Sequence, residues 1–144
     1  MVLDSRLRIP LTAQLFKQKD AAKTIIATTA KASLAKIRAI EALGALVWRL
    51  PAQGSQVAWR PLLKKLAGHG IVSVLIEGGA TVAASALKHK VVDKVEFFYA
   101  PKILGGDGRV MIDGLAIGKM AQAIALKNIS LRRVGEDLLV SAYL

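Results

Sequence analysis

Two periods of apolar residues replace one another along this chain. Short runs rich in β-branched residues predict strands at 23–29, 45–50, 71–76 and 93–100. Val2-Leu3-Asp4-Ser5 reads as the last residues of a strand whose beginning lies upstream, and Pro10 then keeps Ile9 out of helix. Between the runs a three-to-four residue spacing takes over. Leu34, Ile37 and Ile40 predict a helix over 34–43 with one buried side, capped by Ser33 and ended by Gly44. Ala58, Leu62 and Leu66 share one face of a second helix, 58–67, which stops at Gly68-His69-Gly70. A third helix is expected over 80–89. Strands and helices alternating in short units are the mark of a mainly parallel sheet flanked by helices.

The end of the chain has another character. Ile129, Leu131 and Arg133 alternate with Ser130, Arg132 and Val134, a turn follows at 135–137, and a return strand runs over 138–143. That predicts a C-terminal antiparallel hairpin. No repeat, low-complexity tract or linker interrupts the pattern, so the fold class is α/β and residues 1–144 are expected to form one domain.

The stretch 72–87 carries the clearest candidate chemistry. A buried-strand pattern ends in Glu77, Gly78-Gly79 follow, and Thr81 leads into a small-residue helix. Glycines let a phosphate approach the backbone N–H groups at a helix start, where the partial charge is positive. Glu77, at a strand's carboxyl end, stands where open α/β sheets place ligand contacts. Taken alone, Glu-Gly-Gly reads equally well as a tight turn beside a solvated carboxylate. Asp107, beside its own glycines, and Asp4-Ser5 stand at other presumed strand ends. Together these suggest a crevice for a phosphate-containing ligand.

Composition narrows the classes. There is no cysteine, which excludes disulfides, thiolate catalysis and zinc–cysteine sites. The 53% of hydrophobic residues rule out general disorder. The apolar runs fall far short of the roughly 18 residues a membrane span needs, and the N-terminus lacks signal-peptide character, so a cytoplasmic protein with no membrane partner is expected. Lys and Arg number 21 against 10 Asp and Glu, a net charge of +11, which favours anionic partners. Aromatics are only 5% and the basic residues are scattered, so a phosphorylated metabolite fits better than a nucleic-acid strand. The two histidines, His69 and His89, each sit where a helix ends, and no carboxylate cluster accompanies them. No metal site is expected.

Five ordered blocks add a resemblance. They are Val2–Pro10, Leu75-Ile76-Glu77-Gly78-Gly79-Ala80-Thr81, Val92-Asp93-Lys94-Val95, Ala100–Asp107, and Arg133-Val134-Gly135-Glu136-Asp137-Leu138. The chain resembles, over nearly its whole length, the C-terminal reductase domain of the bifunctional riboflavin-biosynthesis deaminase–reductase. The resemblance implies a dihydrofolate-reductase-like fold, with NADPH as hydride donor. It implies 5-amino-6-(5-phosphoribosylamino)uracil as the substrate, reduced at the sugar C1′ to the ribitylamino product. Glu77 then matches a substrate contact. Gly79, Ala80, Thr81, Val82, Ala83, Ala84 and Ser85 match the dinucleotide-binding segment, and Ser5 matches a further NADP contact. The family's earlier strands, acidic turn and zinc deaminase domain have no counterpart here, so the chain reads as the later portion of a pyrimidine reductase domain. No proton donor is identified. Family members are commonly dimers, which implies a second copy as partner. The competing readings are a dihydrofolate-reductase-like NADP-binding domain with another substrate or no turnover, and a basic nucleic-acid-binding module.

Overall fold

A computed structural model of the chain describes residues 1–17 and 23–144. They divide into two compact units, Met1–Val74 and Leu75–Leu144.

In the first unit, β1 (Val2–Leu3), β2 (Ile25–Thr28) and β3 (Leu46–Arg49) form a parallel sheet in the order β1-β2-β3. Helix α1 (Leu34–Ala42) joins β2 to β3, and α2 (Trp59–Gly68) follows. Side chains alternate across a strand, so Ile26 and Ala27 face opposite ways. Ile26 packs with Ile37 and Ile40 of α1, with Leu7, Phe16, Ala32 and Ala45 completing the cluster. Each large aliphatic side chain sealed there contributes about 1.5–3 kcal/mol. On the other face Trp48, in register with Ala27, lies under α2, with the Lys65 Nζ 4.7 Å from its ring centroid. The helices therefore cover both faces, as a parallel sheet requires.

Local signals account for the helix limits. The Ser33 Oγ accepts the Lys36 N–H at 3.2 Å, as expected of the cap. Leu34, expected on the buried side, is 58% exposed. It opens the first turn, and only Ile37 and Ile40 of α1 are buried. After β1 the chain turns sharply. The Asp4 carboxylate accepts the N–H groups of Arg6 and Ile9, and Leu7 is held buried at φ +55. A left-handed leucine costs about 1–2 kcal/mol, which its burial in the core cluster offsets.

The expected strand at 71–76 does not form; no strand pairing involves these residues among those described. Ile71 spends its N–H on the Leu66 carbonyl at the end of α2, while Val72 and Leu75 are 98% and 75% exposed. A β-branched run is only a disposition; a strand exists where a neighbour supplies hydrogen bonds.

The second unit contains α3 (Ala80–Lys88), β6 (Lys94–Tyr99), β7 (Lys127–Val134) and β8 (Asp137–Tyr143). The predicted hairpin is β7–β8, closed by Gly135-Glu136 with Gly135 at φ +61. β6, read as one more strand of a mainly parallel sheet, pairs antiparallel with β8 and makes the order β6-β8-β7. The class is thus mixed α/β, with parallel pairing in the first unit and antiparallel pairing in the second. A pair of very short strands in the first unit, β4 (Ala52–Gln53) and β5 (Gln56–Val57), forms a hairpin where only a polar stretch was expected.

Candidate functional site

The glycine turn has the conformation that its residue types suggest. Gly78 and Gly79 take φ +62 and +82, values that L side chains adopt only under strain. The Gly79 carbonyl accepts the N–H groups of Val82 and Ala83 at 2.9 and 3.0 Å, which starts α3. The N–H groups of Gly79, Ala80 and Thr81 precede those bonds and have no place in the helix ladder. The first turn contains no acid, and no side chain caps it. Positive partial charge at this helix start is therefore uncompensated from within the helix. Glu77 and Thr81 are exposed, Ala80, Val82 and Ala83 half-buried, and Ala84 and Ser85 buried. The Ala80 carbonyl also accepts the Asp113 N–H at 3.2 Å, tying the long loop before β7 to the helix start.

These features fit one phosphate group of a dinucleotide. An added Cβ at Gly78 would meet nothing within 4 Å, and at Gly79 only Val82 at 3.6 Å. The glycines are thus required by backbone angle and by open access, not by crowding within the protein. Glu77 is a poor neighbour for a phosphate, and a good acceptor for hydroxyl or ring N–H groups.

Ser5 belongs to the first unit, whereas Glu77 and residues 79–85 lie together in the second. Ser5 is half-buried just beyond β1. Its carbonyl accepts the Thr29 hydroxyl at 2.7 Å, and its Oγ accepts the Val57 N–H at 3.1 Å. Next to Thr29, Thr28 is fully buried, and its Oγ1 has no hydrogen-bond partner among the described residues. The residues alone did not reveal the link from Ser5 to the β4–β5 hairpin. Gly54-Ser55, a two-residue hairpin turn with its glycine at φ +62, was the signal available.

The remaining candidates have structural employment. His69 and His89 are the C-caps of α2 and α3. Each donates its Nδ1–H to the carbonyl four residues back, Lys65 at 2.8 Å and Ser85 at 2.7 Å. No group of three or more potential metal ligands occurs among the described residues, and no helix there is long and apolar enough to cross a membrane. Asp107 ends a short 3-10 turn, Gly105–Asp107. On the second sheet the Lys94 Nζ lies 2.7 Å from the Glu96 Oε1, and the Ser141 hydroxyl donates to the same carboxylate at 3.3 Å. The Lys94 hydrogen bond holds the Glu96 carboxyl below its ordinary range, and Glu96 in turn raises Lys94.

Comparison with known proteins gives consistent matches. The family model described as the RibD C-terminal domain matches residues 1–140. The riboflavin biosynthesis protein RibD of Actinobacillus pleuropneumoniae is 38% identical over 141 residues, covering 97% of this chain and 37% of that protein. A protein of Methanothermobacter thermautotrophicus named 2,5-diamino-6-ribosylamino-4(3H)-pyrimidinone 5′-phosphate reductase is 34% identical over 141 residues, covering 97% of this chain and 63% of that protein. Among solved structures, Acinetobacter baumannii RibD superposes with a TM-score of 0.77 at 23% identity, over 97% of this chain and 36% of that one. A pyrimidine reductase-like protein of Corynebacterium diphtheriae gives 0.63 at 19% identity, over 97% of this chain and 58% of that one. The chain therefore spans between about a third and two thirds of the length of these proteins.

Proposed function

The chain belongs to the RibD C-terminal domain family, and from that premise we propose that it reduces a phosphoribosylamino-pyrimidine with NADPH in riboflavin biosynthesis. The observation that carries this reading is the Glu77-Gly78-Gly79 turn with its two left-handed glycines at the uncapped start of α3. In this reading the N–H groups of Gly79, Ala80 and Thr81 hold a phosphate of the dinucleotide, within a contact segment running from Gly79 through Val82, Ala83 and Ala84 to Ser85. Ser5 is a further cofactor contact. Glu77 accepts hydrogen bonds from the substrate's pyrimidine or ribose.

The bound nicotinamide supplies a hydride to the sugar C1′. The bond from C1′ to the ring oxygen breaks, that oxygen ends as a hydroxyl, and one proton taken up balances the hydride. Effective transfer needs the donor and acceptor carbons about 3–3.5 Å apart, so the protein's work is placement. The excess of Lys and Arg over acids, +11 in all, favours two anionic ligands. The two compact units are then portions of one reductase domain, since a single family match runs through both. A cytoplasmic location and a second copy as partner complete the reading.

The test is NADPH oxidation by the purified protein with 5-amino-6-(5-phosphoribosylamino)uracil or its 2-amino pyrimidinone counterpart as acceptor. Oxidation that depends on either pyrimidine supports the reading. NADPH binding without oxidation by either would leave a cofactor-binding relative with another substrate. Absence of both binding and oxidation would refute the proposal.

A further inference from the structure

Three chain segments meet at Ser5. Its carbonyl takes the Thr29 hydroxyl and the Thr29 N–H, at 2.7 and 3.3 Å, which joins the exits of β1 and β2. Its hydroxyl oxygen takes the N–H of Val57, 52 residues away in sequence, at 3.1 Å. Val57 is buried and ends the returning limb of the β4–β5 hairpin. The base of this arm is closed by the Ala58 N–H on the Pro51 carbonyl at 2.9 Å. Beyond that base, the arm is a two-pair ladder, Ala52↔Val57 and Gln53↔Gln56, ending in Gly54-Ser55. So short a hairpin has little rigidity of its own. Its bond to Ser5 fastens it at the carboxyl edge of the parallel sheet, the edge where open α/β sheets receive ligands.

The arm carries no charge. Gln53 and Ser55 are exposed and Gln56 is half-buried, and each amide offers both a donor and an acceptor. That chemistry suits a neutral, hydrogen-bonding group, such as a purine edge or a carboxamide, and does not suit a phosphate.

Building on the NADPH reading above, we infer that the β4–β5 arm is a nucleotide-contacting wall. Gln53 and Gln56 contact a neutral group of a nucleotide at this edge of the parallel sheet, and Ser5 is a positioning residue that holds the arm through Val57. The Ser5 O–H, not consumed by accepting the Val57 N–H, remains able to donate in its turn.

The experiment combines amide hydrogen exchange at Val57 with NADPH titration and steady-state kinetics, on the whole chain. Ser5→Ala should speed Val57 exchange and raise the NADPH Kd, each by about five- to tenfold, the worth of one hydrogen bond. Ser5→Thr should restore both. The double variant Gln53→Ala with Gln56→Ala should weaken NADPH by a similar factor and leave Val57 exchange as it was. In Ser5→Ala and in the glutamine double variant, KM for NADPH should move more than kcat at saturating NADPH, and in Ser5→Thr neither should move. Two results would overturn the inference: weaker NADPH binding in Ser5→Ala with unchanged Val57 exchange, or unaltered NADPH binding in the glutamine double variant. A wild-type chain that binds no NADPH would remove the functional reading and this inference with it.

Discussion

Replacing Thr28 by valine should stabilise the first unit. Thr28 ends β2 and is 0% exposed. Its backbone is in use, since its carbonyl accepts the Leu50 N–H at 2.8 Å. Its hydroxyl has no partner among the described residues. A hydroxyl taken out of water without a compensating bond costs about 1–3 kcal/mol. Valine has the same branched shape, puts a methyl where the hydroxyl stands, and is at least as well suited to a strand. A gain of about 1–2 kcal/mol is expected. With an unfolding entropy of about 2.1 cal/mol/K per residue, a chain of 144 residues should melt about 3–7 °C higher. Tryptophan fluorescence during urea unfolding is the suitable probe, because Trp48 and Trp59 are the chain's two tryptophans and both are buried in the first unit. Thr28→Ser keeps the hydroxyl and removes the methyl, and should lose about 1 kcal/mol. If Thr28→Val lowered the midpoint at unchanged m, the hydroxyl would have to be bonded in solution, and the reasoning would fail.

Three further outcomes are expected. Gly79→Val should weaken NADPH before it affects the pyrimidine, since the new side chain stands at the phosphate approach on a backbone with φ +82. Gly79→Ala separates the two effects by adding strain of about 1–2 kcal/mol with little bulk; equal small changes in both ligands would reduce Gly79 to a turn residue. Glu77→Gln should raise KM for the pyrimidine more than KM for NADPH, and a larger effect on NADPH would reassign Glu77. The folded-state pKa of Glu96 is lowered, first by its hydrogen bond from Lys94. Its contribution is therefore present above the ordinary glutamate value and lost as pH falls through the lower folded value. Glu96→Gln should flatten that acid limb of the stability curve, and high salt should shrink the difference, because the pair is exposed. A limb identical in both proteins would contradict the pairing.

Helices and most tight turns were legible in the residues because their bonds are local; the Gly54-Ser55 turn was not read, since the strands flanking it are only two residues long. Ser33 caps α1, the apolar spacing of 58–66 marks α2, and Gly135 closes β7–β8 within a few positions of the residues they join. The phosphate-binding candidate was legible for the same reason: Glu77, Gly78, Gly79 and the start of α3 are consecutive. The dinucleotide as the ligand of residues 79–85, and Ser5 as one of its contacts, came only through resemblance, because the residue types there name no particular ligand.

What the sequence determined by itself was therefore local: where helices start and stop, which turns need glycine, and where an anion could meet backbone N–H groups. The tertiary structure decided which strands exist and what they pair with. It set β6 antiparallel to β8, left 71–76 without a ladder, and joined Ser5 to Val57. The reason is the reach of the bonds. A helix satisfies each N–H four residues away, whereas a strand or a cross-chain hydroxyl bond needs a partner tens of residues distant, whose presence no local pattern can specify.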